Sequence, residues 1–126
     1  MKREILFRGK RKFDEKWIEG YYVHFERMKN HCIYYTYKGN PLVDDIDPET
    51  ICQYIGLTDK NGKKIFEGDI VKSDMEKIGK VVFNESHVAF MILEFEENIY
   101  HFINECWSNC IKIIGNIFDN PELLEK

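Results

Sequence analysis

The chain has 126 residues, a formal net charge of −4 and 44% hydrophobic residues, which suits one small globular domain. No apolar run approaches the ~20 residues that cross a bilayer, and the apolar stretch after the basic start is too short for a signal peptide. We therefore expect a cytoplasmic protein with no membrane partner, folded as a single domain over residues 1–126.

The first part of the chain is predicted to be a series of strands, because aromatic residues make up 14% of the sequence and favour sheets. The first predicted strand is Ile5 to Arg8, and a charged turn follows it. From Trp17 to Phe25 the side chains alternate with a period of two, which is typical of a strand with two partly apolar faces. Another β-rich segment runs from Cys32 to Tyr37 and ends where Gly39 and Pro41 interrupt it.

An acidic segment follows these strands. Because Asp44, Asp45 and Asp47 accumulate there, we expect an irregular connection rather than a strand. Strand character is predicted to return at Ile51 to Ile55.

Two turn signals stand in the middle of the chain. Asn61-Gly62 favours the positive φ values of tight turns, and Gly68-Asp69 comes directly before a strand. The carboxylate of Asp69 is expected to accept hydrogen bonds from nearby backbone amides. We therefore interpret these four residues as structural turn residues. With the strand that begins at Gly79, the run resembles the first hairpin of a small SH3-like barrel.

Three blocks of the sequence carry a more specific resemblance. They are Arg3 to Arg8, Gln53 to Val71, and Ile114 to Leu124, and they occur in the order found in the YopX-like family of phage and prophage proteins. The chain resembles this family over nearly its whole length. The resemblance implies a phage or prophage origin and a mainly β architecture, but it implies no reaction, because the family has no established biochemical activity.

The last third of the chain mixes clear and ambiguous segments. Val88 to Leu93 is an apolar run of strand length, and Ile111 to Ile114 is a further predicted strand. Residues 95–110 fit either a helical face or a strand. We favour a strand at Ile99 to Ile103 with a short helical turn at Glu105 to Asn109.

At the tail, Asn120 is expected to N-cap a last helical turn that begins with Pro121. Taken together, the elements predict a mainly β fold. We expect a single domain with a small SH3-like barrel element, additional strands and short helical turns only.

The four cysteines are predicted to be free thiols that pack as small hydrophobic side chains in a reducing compartment. Cys106 and Cys110 form a C-x-x-x-C pair with His101 upstream, and Cys32 stands beside His31. Zinc sites usually show tighter spacings and four ligands in two pairs. We therefore predict no metal site.

The charge is distributed unevenly along the chain. The stretch 94–105 holds four glutamates and no lysine or arginine, whereas the first twelve residues are basic. Such a segment either binds a nucleic acid or acidic partner, or is a solvated hairpin whose lysines protect a sheet edge. The candidate binding residues are Lys2, Arg3, Arg8, Lys10, Arg11 and Lys12.

The sequence lacks the usual enzyme motifs. It has no Gly-rich phosphate loop, no Gly-x-Ser-x-Gly elbow and no His-Glu-x-x-His helix, so we predict no catalytic residue, no cofactor and no enzyme. The favoured function is a small β interaction module that binds a host or phage protein, or a second copy of itself. The alternative is a nucleic-acid-binding protein that uses the basic N-terminal hairpin.

Overall fold

The computed structural model describes residues 3–125, and most of them lie in antiparallel strands. The predicted mainly β fold with short helical turns is confirmed. The strands of the described residues are β1 (Phe7–Lys10), β2 (Trp17–Phe25), β3 (Asn30–Tyr37), β4 (Asn40–Asp45), β5 (Cys52–Thr58), β6 (Lys64–Phe66), β7 (Asp69–Ser73), β8 (Ile78–Asn84), β9 (Ala89–Glu94), β10 (Tyr100–Phe102) and β11 (Ile111–Asn116). The helical elements are α1 (Glu105–Ser108) and the 3-10 helices Pro48–Thr50 and Pro121–Leu124.

The chain forms two compact units, Met1–Tyr54 and Ile55–Lys126. In the first unit the strands are hydrogen-bonded in the order β4-β3-β2-β1-β5, with only the first residues of β5 paired to β1. Ile33 and Ile46 are completely buried in this unit. Gly9 permits their packing, because a Cβ atom there would lie 2.3 Å from Cγ2 of Ile46. A single folded domain over residues 1–126 stays a prediction.

The acidic connection predicted after Tyr37 is wrong, because Asn40–Asp45 forms strand β4. This strand lies at the edge of its sheet, with Tyr34 opposite Val43 and Thr36 opposite Pro41. A proline is tolerated on an edge strand, since its missing N–H costs no ladder hydrogen bond on the open side. Asp44 and Asp45 therefore lie on a strand, whereas Asp47 caps the 3-10 helix Pro48–Thr50.

In the second unit the sheet order is β10-β9-β8-β7-β11. The predicted hairpin of β7 and β8 is present, with Val71 opposite Gly79. The core of the unit consists of five buried side chains, Ile65, Val71, Val81, Ile92 and Ile111. The SH3-like barrel stays a prediction.

Buried carboxylates hold the turns of the second unit. Asp59 accepts hydrogen bonds from the backbone amides of Asn61 and Lys63, each at 2.9 Å, and of Ile113 at 3.0 Å. Asp69 accepts one from the amide of Phe66 at 2.8 Å. Both aspartates are buried, so their charges are compensated by backbone N–H groups.

The glycines of these turns occupy the backbone region that favours glycine. Gly62 has φ of +79° and Gly68 has φ of +89°. Asn61 donates its backbone N–H to Asp59 in the first turn. Asn61, Gly62 and Gly68 thus lie in tight turns, and Asp69 is the first residue of β7.

The ambiguous segment 95–110 contains both favoured elements, the strand β10 and the helical turn α1. The tail differs in detail from the prediction. Asn120 precedes the 3-10 helix Pro121–Leu124, but its side chain makes no cap hydrogen bond to it. Its Oδ1 instead accepts from the backbone N–H of Asn116 at 3.2 Å, because the backbone turns back onto the end of β11.

Candidate functional site

Some of the predicted basic residues are exposed, and others contact neighbouring side chains. Lys2 lies outside the described residues, while Arg3 and Lys12 are exposed. Arg8 and Lys10 lie on one side of β1, and their charged groups are 4.8 Å and 5.4 Å from the centroid of the Trp17 ring. These distances are typical of cation–π contacts.

Arg11 is held by other side chains of the first unit. Its Nε and Nη2 donate to the carboxylate of Asp14 at 3.0 and 2.5 Å, and its Nη1 donates to the Tyr35 hydroxyl at 3.0 Å. Tyr35 in turn donates to Asp44. The hydrogen bond from Arg11 lowers the pKa of Asp14 below its ordinary value. Arg11 therefore has a structural role, and its charge is compensated within the unit.

A cavity of about 450 Å³ lies in the second unit. Its apolar wall is formed by Val71, Ile78, Ile92, Trp107 and Ile111. The polar residues along it include Lys77, Glu94, Glu97 and His101. A largely apolar cavity with a few converging polar groups is the usual form of a binding site.

Local sequence features explain how the cavity is built. Gly79 lies opposite Glu94 in the pairing of β8 and β9, and a Cβ atom on Gly79 would come within 2.7 Å of Ile92 Cγ2 and of Leu93 O. On the other side, Asn104 caps α1 by accepting from the backbone N–H of Trp107 at 2.8 Å. Glycine thus permits close packing of one wall, and the cap positions Trp107 in another.

Glu94 is the charged residue that the fold buries at this cavity. It is only 6% exposed, and its Oε2 lies 3.2 Å from Nε2 of His101. Its Oε1 is buried without a hydrogen-bond partner. The His101 ring packs against Trp107, with 5.2 Å between the ring centroids.

Lys77 supplies an ammonium group close to Glu94. Its Nζ lies 3.7 Å from Glu94 Oε1, 3.8 Å from Glu96 and 3.7 Å from Glu97. A charge-assisted hydrogen bond is usually 2.7–2.9 Å long. Lys77 is therefore shared by three carboxylates and makes a short contact with none of them.

The prediction that all four cysteines pack in the interior is wrong for two of them. Cys32 and Cys52 are buried, whereas Cys106 and Cys110 are exposed and line the cavity. Cys106 lies on the helical turn α1 and Cys110 lies in the turn that follows it, and both are at the surface. Burial raises the pKa of Cys32 to about 11, and a hydrogen bond to Asp45 adds to the effect. Within residues 3–125, no cluster of three or more His, Cys, Asp or Glu side chains is arranged to hold a metal ion.

Sequence reasoning treated Glu94 only as part of an acidic stretch and did not identify the cavity. One signal was available, since Glu94 stands two residues after Ile92 at the end of an apolar strand. Alternate residues of a strand face the same side. A glutamate in phase with core residues therefore indicates a buried carboxylate.

No helix formed by residues 3–125 has the length and apolar character needed to cross a membrane. This agrees with the absence of long apolar runs in the sequence.

Comparisons with known proteins identify relatives in family and in fold. The family described as YopX protein matches residues 6–125 of the chain. A search of curated proteins finds no match. Among solved structures, the chain is similar to the crystal structure of protein EF1440 from Enterococcus faecalis, with 22% identity and a TM-score of 0.58. That similarity covers 98% of this chain and 100% of the other, and it concerns the fold alone.

Proposed function

The chain belongs to the YopX family, and from this premise we propose that it is a non-enzymatic interaction module of phage or prophage origin. Its partner is a host or phage protein in the cytoplasm. An apolar side chain of that partner occupies the cavity of the second unit.

One observation carries the proposal, namely the apolar cavity with Trp107 in its wall. Its volume of about 450 Å³ is within the range of sites that enclose small ligands or side chains. Trp107 is only partly buried, and tryptophan is among the residues that contribute most to binding at interfaces. Met75 also lines the cavity and is 81% exposed, and methionine adapts readily to different apolar partners.

The contacts of His101 support a binding role over a catalytic one. This imidazole contacts the Glu94 carboxylate and the ring of Trp107. A nucleophile–base pair requires a hydroxyl or thiol within hydrogen-bond reach of the imidazole. The contacts observed for His101 instead order the polar side of the cavity.

A peptide selection tests the proposed function. A phage-displayed library of random peptides is selected on the purified chain, and Kd is then measured for Cys106→Trp, which fills the cavity from an exposed position. Glu85→Trp is the matched control, since Glu85 is exposed on the β8–β9 turn and does not line the cavity. We expect the selection to yield peptides with an apolar side chain. These peptides should bind Cys106→Trp at least tenfold more weakly than the parent chain, and their Kd for the control should be unchanged. Peptides that bind both variants like the parent chain would contradict the proposal.

A second candidate function is nucleic-acid binding, and the cluster of Arg8, Lys10 and Trp17 favours it. Cations beside a partly exposed aromatic ring resemble the elements that bind single strands. The compensated charge of Arg11 and the net charge of −4 weigh against this function.

A further inference from the structure

We propose that the cavity selects an ammonium group together with the apolar side chain. The partner segment then carries a lysine, or its own amino terminus, next to the apolar residue that enters the cavity. This inference rests on the proposed function and specifies its partner. The recognising atom is Oε1 of Glu94.

This carboxylate oxygen makes no hydrogen bond. Glu94 is 6% exposed and lines an apolar cavity, yet its Oε1 has no hydrogen-bond partner. A buried charged oxygen without a donor is costly, and native structures usually pair such atoms. A donor brought by a ligand would remove this cost, so the interaction would favour the bound state.

Carboxylates outnumber ammonium groups along the wall of the cavity. Two carboxylates that line the cavity, of Glu94 and Glu97, each lie 3.7 Å from the ammonium of Lys77. Asp74 also lines the cavity, but its carboxylate accepts from Lys60 at 2.8 Å. The remaining field favours an incoming cation and disfavours an anion.

The contacts of the two Glu94 oxygens decide which kind of cation fits. Oε2 of Glu94 already contacts His101. Oε1 is buried, makes no hydrogen bond and lies 3.7 Å from Lys77 Nζ, so it is the oxygen with which a new donor would pair. Guanidinium groups bind carboxylates best through two parallel hydrogen bonds, whereas an ammonium is a compact charge that can donate to one oxygen. The geometry therefore favours an amine over a guanidinium.

Three small probes of similar shape test this inference. They are 2-phenylethylamine, 2-phenylethanol and 3-phenylpropionate, which differ mainly in charge. Each is titrated into the ¹⁵N-labelled chain, and Kd is obtained from amide and indole shifts of residues that line the cavity. We expect the amine to bind at least fivefold more tightly than the alcohol, and the propionate to bind most weakly.

The outcomes separate the inference from the proposed function. If the amine and the alcohol shift the cavity residues with equal Kd, the ammonium inference is wrong and the apolar cavity stands. If none of the probes shifts these residues, both are wrong. Either comparison uses the parent chain and does not depend on the folding of a variant.

Two variants then assign the effect to Glu94. Glu94→Gln should bring the Kd of the amine to that of the alcohol, whereas the matched control Glu85→Gln should keep the fivefold difference. Lys77→Gln removes the cation that competes for Oε1 and should tighten amine binding severalfold. An amine preference that survives Glu94→Gln would overturn the inference.

Discussion

At the residue scale, Asp59 shows how one carboxylate organises a large part of the second unit. It is 3% exposed, and its two oxygens accept three backbone N–H groups, including that of Ile113 on β11. Burial alone would raise the pKa of Asp59, but the hydrogen bonds from Ile113, Lys63 and Asn61 outweigh it and hold the pKa below its ordinary value. The charged form is therefore the one that stabilises the fold.

We therefore predict that the parent chain loses stability as the pH falls and that this loss is smaller in Asp59→Asn. A carboxyl group whose folded pKa is depressed contributes stability above its unfolded pKa of about 3.9, and the contribution is lost as the pH falls through the folded pKa. At pH 7 we expect Asp59→Asn to lower the free energy of unfolding by about 1–3 kcal/mol.

Urea denaturation of the parent chain and the variant at pH 7, 5 and 3 measures the effect. The difference between the two chains should narrow toward pH 3, because Asp59 loses its advantage when protonated. A constant difference at all three pH values would show that the carboxylate charge has no part in stability.

At the scale of elements, strands that follow from local pattern were predicted well. β2 and β9 lie where alternating or continuous apolar residues indicated them, and α1 lies where a helical turn was expected. β4 was missed, because its acidic residues and proline argue against a strand unless its position at a sheet edge is known. That position is a property of the pairing with β3 and is absent from the local sequence.

The cavity was missed for a related reason. Its walls join residues far apart in the sequence, such as Val71, Ile92 and Trp107. Composition gives no information on which strand lies opposite which, so the pairing of Gly79 with Glu94 could not be foreseen. Only the spacing of two residues, which places Glu94 on the same strand face as Ile92, could be read from the sequence.

The turn at Gly62 supplies a prediction for an element. Gly62 has φ of +79°, and no atom lies within 4 Å of where a Cβ would be placed, so a side chain there meets backbone strain without a steric clash. Gly62→Val should destabilise the fold by about 1–3 kcal/mol, because a β-branched residue is strained at positive φ. Thermal denaturation gives the measurement.

Gly62→Asn is the control, since asparagine tolerates this backbone region and should recover most of the stability. If Gly62→Val melts at the same temperature as the parent chain, the turn does not impose the strain that its φ implies.

At the scale of the whole molecule, charge sets the expectation for nucleic acids. The net charge is −4, and Arg11 is compensated by Asp14. We therefore expect weak or no binding of duplex and single-stranded oligonucleotides at physiological salt, measured by fluorescence anisotropy across a salt series.

Substitution of Lys10 and Lys12 by glutamate is the control for that experiment. Submicromolar binding that weakens steeply with salt and disappears on this charge reversal would favour the nucleic-acid function. For a basic site that contacts several phosphates of duplex DNA, the logarithm of the binding constant falls with the logarithm of the salt concentration. The slope is about −0.9 per phosphate contacted.

An exposed row of mainly aromatic side chains is a second surface at which a protein partner could bind. Tyr21 lies opposite Tyr34, and Tyr34 lies opposite Val43, so the three side chains form an exposed row across β2, β3 and β4. Such a row is suited to a protein contact or to a second copy of the chain. The central question is therefore which surface receives the partner.

Intermolecular nuclear Overhauser effects answer it most directly. An unlabelled peptide from the library selection is bound to the ¹³C,¹⁵N-labelled chain, and contacts from its apolar side chain are recorded. We expect contacts to Val71, Ile92 and Trp107 in the cavity. Contacts to Tyr21 and Tyr34 in their place would contradict it.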